Sequence, residues 1–165
     1  MHLRRARPED YEAIGIVTHA AYEPLLGTTE SSYAELLRNA EARDLEAELW
    51  VAVAPDDRDV LGSVTICRDG SPWREIGLVD EGEFRMLAVA PHAQGQGVGE
   101  LLVRHVVDRF REEGAIAVVL STTPAMAAAH RLYEKLGFTR CPGRDWTPLP
   151  DVLLLAYRLE LGWRH

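Results

Sequence analysis

The sequence predicts an α/β fold with a mixed sheet in one domain, and three observations carry that prediction. First, FRMLAVA (84–90) reads as a strand, passes through a glycine-rich turn into a helical pattern, and is followed by AIAVVLST (115–122), a nearly continuous apolar run. Strand, helix, strand in that order is a βαβ unit, so these two strands should lie parallel, the second covered on both faces. Second, ELWVAVA and VLGSVTIC flank PDDRD, two β-rich runs around a Pro/Asp turn, which predicts an antiparallel hairpin. Third, FTRC and DVLLLAYRLEL supply two closing strands. A chain of 165 residues suffices for one domain with a substantial core and is short for two, so residues 1–165 are expected to form a single domain.

The remaining elements follow in order. HLRRA (2–6) reads as a short first strand. RPEDYEAIGIVTHAAYEPLL reads as a helix, with Pro8 in its first turn, Glu9 and Asp10 at the positive end of its dipole, and Ile14, Val17, Ala21 and Leu25 on one face. GTTESS breaks it, and SYAELLRNAEARDLEAE reads as a second, more polar helix. Residues 68 to 83, RDGSPWREIGLVDEGE, read as a loop. VGELLVRHVVDRFREEG reads as a helix burying Leu102, Val103, Val106 and Phe110 and ending at Gly114. PAMAAAHRLYEKLG reads as the next helix, with Pro124 at its start, Thr123 as its cap and Gly137 just past its end.

Composition narrows the function. Hydrophobic residues make up 47% and charged residues 27%, ordinary for a globular protein. No apolar run approaches the roughly 20 residues needed to span a bilayer, and the N-terminus has basic residues without the apolar core of a secretory signal. Eighteen basic against 26 acidic residues give −8, and Lys135 is the one lysine, which argues against nucleic acid as the main partner. Cys67 and Cys141 lack metal-type spacing, and the six histidines share no spacing that suggests a metal. The expectation is a reduced, cytoplasmic protein without a metal.

The turn is PHAQGQGVGE (91–100), with Gly95, Gly97 and Gly99 alternating at the mouth of a helix. A helix start leaves about four N–H groups unpaired and carries partial positive charge. Glycines let that backbone close around an anion, and the absence of Ser, Thr, Asp or Asn leaves the N–H groups uncapped. The P-loop pattern fails for want of a Gly-Lys pair. The dinucleotide pattern G-x-G-x-x-G fails at Glu100 and sits mid-chain rather than after the first strand. The pattern [QR]-x-x-G-x-[GA] after a strand fits Gln94-Gly95-Gln96-Gly97-Val98-Gly99.

With its surroundings the chain resembles the GNAT superfamily of N-acetyltransferases. LAVAPHAQGQGVGELLV is similar to that family's acetyl-CoA signature, AHRLYEKLGF (129–138) to its second signature, and the order of elements from residue 3 to 160 to its layout. The resemblance implies a mostly antiparallel mixed sheet with a splayed central parallel pair and about four helices. It implies that backbone N–H groups of Gln94, Gly95, Gln96, Gly97, Val98, Gly99 and Glu100 hold the CoA pyrophosphate. The backbone of Leu87, Ala88 and Val89 would pair with the pantetheine arm, beside a bulge that opens a slot for the thioester. Many relatives carry Asn seven residues before the tyrosine of the second signature; here that position is Met126.

Acetylating an amine needs a neutral nitrogen, whereas a lysine-like amine has a pKa of about 10.4. A base, or a water relay, is therefore useful, as are a donor to the acetyl oxygen and an acid for the leaving thiolate. Tyr133 is the candidate acid; it shares a helix face with Met126, Ala129 and His130, and the small Ala129 would let CoA lie close. Glu83 is the candidate base, at a position the resembling family uses for a catalytic glutamate. Period-2 alternation puts 83, 85, 87 and 89 on one face, with Asp80 and Glu81 as alternatives. By resemblance, the loops holding Tyr22, Tyr33 and Trp146 frame the acceptor. The expected activity is direct acetyl transfer from acetyl-CoA to a primary amine of a small molecule or peptide, without a covalent enzyme intermediate. A non-catalytic acyl-CoA sensor or a transferase of bulkier acyl groups are the alternatives, and a homodimer is compatible with the resemblance.

Overall fold

In chain order the strands are β1 (His2–Arg5), β2 (Glu48–Val53), β3 (Val60–Cys67), β4 (Glu81–Val89), β5 (Ala117–Thr122), β6 (Thr139–Arg140), β7 (Trp146–Leu149) and β8 (Val152–Glu160). The helices are α1 (Tyr11–Leu26), α2 (Ser32–Arg38), α3 (Ala40–Glu46), α4 (Val98–Glu112) and α5 (Ala127–Lys135). The computed structural model describes residues 1–26 and 32–162. The sheet runs β1-β2-β3-β4-β5-β8-β6, with β7 on β8. Every pairing is antiparallel except β4 with β5.

α1 packs on β3 and β4 from one side and α4 covers β2, β3 and β4 from the other. The predicted stripe of α4 is the buried one: Leu102, Val103, Val106 and Phe110, joined by Val98 and Val107. Phe84 of β4 sits in the same core, edge-on to Tyr133 and Phe138 at ring separations of 6.0 and 6.2 Å. Burying an aromatic of this size is worth about 1.5–3 kcal/mol.

Four expectations need correction. The second predicted helix is two: Asn39 interrupts it, and its side-chain oxygen accepts from the Ala42 N–H at 3.1 Å, capping α3. The helix count among the described residues is therefore five. α5 starts at Ala127, not Pro124, and Thr123 caps nothing with its hydroxyl; its carbonyl instead accepts from the Met126 N–H and the His130 ring. Residues 81 to 83 belong to β4, because Glu81, Gly82 and Glu83 pair with Ala117, Val118 and Val119. Gly82 is what lets α4 close over this pair: a Cβ there would stand 2.3 Å from the Phe110 ring. Finally β7, within the Pro-rich PGRDWTPLP, is a strand that the sequence reading did not anticipate.

Glu81 pins the start of β4. Its side chain, 4% exposed, accepts from Arg144 at 2.7 and 3.0 Å, from Arg158 at 3.1 Å and from the Leu78 N–H at 3.0 Å. Burial pushes this carboxyl up, but the two guanidinium groups and the N–H outweigh it and hold its pKa at about 2. A lowered folded-state pKa stabilises above the ordinary carboxyl range and is lost as pH falls through the folded value. Glu81→Gln is therefore expected to cost about 3 kcal/mol near neutral pH. The gap between variant and wild type in urea unfolding should close as pH drops from about 4.5 towards 2. A gap that does not change with pH would show that the pairing contributes nothing.

Candidate active site

The parallel pairing of β4 and β5 lasts three residues, ending at Glu83↔Val119. Beyond it β5 stays with β8 through Thr122, while β4 stays with β3 through Val89. The cause is a bulge. Thr65 pairs with Arg85 and Ser63 with Ala88, so Met86 and Leu87 together face Val64. Met86 takes φ 55°, the left-handed region that non-glycine residues seldom adopt. The extra residue turns β4 away from β5 and leaves its far edge without a strand partner among the described residues. It also corrects the expected alternation. Glu83 and Arg85 share a face, but past the bulge it is Ala88, opposite Ser63, that continues it, and Leu87 and Val89 move to the α4 side.

The gap between the strands is a narrow slot lined by Phe84, Arg85, Met86 and Leu87 of β4, Leu120, Ser121 and Thr122 of β5, Met126, Tyr22 and Tyr133. Leu87 and Tyr133 thus line the same slot, and Tyr22 from α1 joins them. Ala88 is buried under β3 and Val89 is half-buried. Ala129 packs on the core one turn from Tyr133 without lining the slot, where Met126 sits instead. Trp146 reaches the slot's edge, its indole N–H donating to the Ser121 hydroxyl at 3.2 Å. The side chain of Tyr33 lies outside the described residues.

Tyr133 is 5% exposed, its ring held among Phe84, Phe138 and Tyr157. Its hydroxyl makes no hydrogen bond among the described residues. Burial, with a smaller contribution from Tyr157, pushes its pKa well above the usual tyrosine value, so the phenol keeps its proton.

The glycine turn follows β4 along the chain and leads into α4. Gly95 and Gly97 have φ of 79° and 82°, and nothing lies within 4 Å of where a Cβ would stand on either. Gly97 is the N-cap of α4 and offers no side chain to its N–H groups. No backbone N–H from Gln94 to Glu100 donates to another group among the described residues. Gly99 serves another purpose: a Cβ there would meet Leu132 at 3.1 Å, so its absence lets α5 approach the start of α4. The Glu100 carboxylate is paired with Arg104 and Lys135, each at 2.9 Å, leaving its backbone N–H as its contribution to the turn. Uncapped N–H groups at a helix start, with no Cβ in the way, fit a pyrophosphate.

Glu83 is placed differently from its expected role. It is fully buried and absent from the slot lining. Its Oε1 accepts from the N–H groups of Glu75, Ile76 and Gly77 at 3.0, 3.0 and 2.8 Å, and its Oε2 from Glu75 at 3.2 Å. Burial dominates and raises its pKa, against the smaller pull of these three N–H groups and of Arg85. Its carboxylate therefore fastens the loop before β4. Of the alternatives, Glu81 is tied to Arg144 and Arg158, and Asp80 is exposed. Arg85, which lines the slot, was not singled out in the sequence; it forms an ion pair with Glu75 at 2.7 Å and donates to the Trp73 carbonyl at 3.0 Å.

Comparison with known proteins gives the family and the fold. The profile of the acetyltransferase (GNAT) family matches residues 11–138, and the chain belongs to that family. It is similar to the streptothricin acetyltransferase of Streptomyces lavendulae, 33% identical over 102 residues, 62% of this chain and 50% of the relative. It is also similar to the N-acetylaspartate synthetase of Rattus norvegicus, 38% identical over 117 residues, 70% of this chain and 36% of the relative. The chain thus spans half or less of the length of these relatives. Among solved structures, yncA of Salmonella typhimurium, determined with its cofactor acetyl-CoA, superposes with a TM-score of 0.70 at 23% identity, over 100% of this chain and 96% of that one. No described helix is long and apolar enough to cross a membrane.

Proposed function

We propose that the protein is a cytoplasmic N-acetyltransferase, one domain over residues 1–165, that moves an acetyl group from acetyl-CoA to a primary amine of a small molecule or peptide in a ternary complex. The observation that carries this reading is the slot where β4 and β5 part, lined by Tyr133 and by a β4 edge that has no strand partner there among the described residues; the same strand leads on along the chain to the uncapped N–H groups of the glycine turn. Acetyl-CoA, when bound, supplies an acyl group already activated as a thioester. The turn from Gln94 to Glu100 would hold its pyrophosphate and the edge of β4 from Leu87 to Val89 its pantetheine arm. Phe84, Leu87, Leu120 and Met126 keep water from the thioester end. Tyr133 holds a proton at Oη, where it can pass to the departing sulfur.

Thiol release from acetyl-CoA measured against a broad panel of amines tests the proposal. Acetyl-CoA should bind, and at least one class of primary amine should accelerate thiol release at least tenfold over the amine-free rate. Tight acetyl-CoA binding with no acceleration by any amine would overturn the reading in favour of an acyl-CoA-binding module. Acceleration only with longer acyl-CoAs would move the donor to a bulkier acyl group.

A further inference from the structure

We propose that Glu75 is the general base: it takes the first proton from the acceptor's ammonium, and Glu83 and Arg85 hold it in position to do so. This inference rests on the acetyl-transfer reading above. No Asp or Glu lines the slot among the described residues. Arg85 does line it, and the Glu75 carboxylate stands 2.7 Å from the Arg85 Nε. Met86 and Tyr22, also lining, belong to or pack against the cluster that holds Trp73, two residues before Glu75, and the Arg85 guanidinium lies over the Trp73 ring at 5.8 Å. The loop thereby carries Glu75 to the α1 side of the slot, across it from α5 and Tyr133.

The residue is held at both ends. Its backbone N–H donates to both oxygens of Glu83, and its carboxylate is paired with Arg85, which itself grips the Trp73 carbonyl. Glu83 is turned onto the three loop N–H groups, away from the slot, and it has no exposure through which to pass a proton on. The Glu75 side chain retains 16% exposure, so a proton taken there has a way out to water. Burial pushes the Glu75 carboxyl up to about 7; Glu83 adds to the rise and Arg85 opposes it, and these are the charged groups that face it. A base half-ionised near neutral pH combines availability with driving force better than an ordinary carboxylate.

The proton balance closes. Glu75 takes one proton from the ammonium and gives it to solvent. The freed electron pair forms the N–C bond to the acetyl carbon as the C–S bond breaks. The second nitrogen proton is lost as the amide forms and makes good the proton that Tyr133 gives to the sulfur. The products are the amide, free CoA thiol and one released proton.

The test uses an acceptor found by the amine panel and its analogue trifluorinated on the carbon beside the amine carbon, whose nitrogen is already unprotonated at neutral pH. Glu75→Gln should lower kcat/KM for the parent amine by about 10²–10³-fold and for the analogue by less than about fivefold. The inflection near pH 7 in wild-type kcat/KM for the parent amine should vanish in Glu75→Gln, whose kcat/KM should instead keep rising with pH towards the amine's own pKa. Equal losses for both amines with acetyl-CoA affinity intact, or an inflection near pH 7 that survives in Glu75→Gln, would overturn the assignment. If the Gln variant fails to fold, Glu75→Asp is read by the same ratio, and equal losses again overturn it. Wild-type protein that acetylates no amine in the panel would overturn the acetyl-transfer reading first, and this assignment with it.

Discussion

Tyr133→Phe is expected to lower kcat by about 10²–10³-fold while leaving acetyl-CoA affinity within about twofold, because the substitution removes one proton donor and nothing else. The ring keeps its neighbours Phe84, Phe138 and Tyr157. The hydroxyl makes no hydrogen bond among the described residues, so removing it strands no partner, and melting should shift little. The raised pKa adds a second expectation. The phenol stays protonated beyond the ordinary tyrosine range, so kcat should show no alkaline fall below pH of about 10. Turnover of the variant at the wild-type rate, with thiol release shown to limit kcat, would remove Tyr133 from the mechanism. Lost acetyl-CoA affinity would instead mean that the hydroxyl binds rather than reacts.

Tyr133 was legible in the sequence because it sits in a helix whose pattern is local: the face, the stop at Gly137 and the Leu-Gly-Phe ending all lie within one turn or two. The strand that faces it was legible only up to Arg85. Strict period 2 assumes a regular pleat, and FRMLAVA offers no glycine to announce the bulge; the left-handed residue is Met86, a type that gives no warning of it. Every residue after it was therefore assigned to the wrong face. The consequence is functional, since the same bulge separates β4 from β5 and makes the slot.

The carboxylates before and at the start of β4 show a different limit. DEGE reads as a solvated acidic run, and Glu83 was chosen from it by position. Its burial depends on Glu75, Ile76 and Gly77 folding back so that three N–H groups converge on one oxygen, a contact pattern with no periodic trace. Glu75 itself lies in an irregular loop, and only the Arg85 pairing across ten residues singles it out. Asn39, by contrast, was a signal that could have been used: an asparagine inside a helical run, followed by Ala-Glu, is as much a cap as a helical residue. β7 was hidden by Pro148, which is tolerated because β7 pairs on one side only, with β8.

The glycine turn yields the other large effect. Gly97→Val is expected to weaken acetyl-CoA binding by about 10²–10³-fold in calorimetry, through two separable causes. At φ 82° a β-branched residue is strained by about 1–3 kcal/mol, which lowers stability and biases the turn towards another conformation. Its side chain would also stand over the N–H groups of Gly97, Val98 and Gly99, each charge-assisted bond from which is worth about 1.5–3 kcal/mol. Gly70→Val separates the two. Gly70 has φ 89° and nothing within 4 Å of its missing Cβ, yet it lies in the loop after β3, away from the turn. Strain alone should make the two variants similarly less stable, by about 1–3 kcal/mol. Only Gly97→Val should lose the ligand. Equal affinity in both would mean that the uncapped start of α4 holds no phosphate, and that the entropy glycine loses in ordering this turn is offset by something other than CoA.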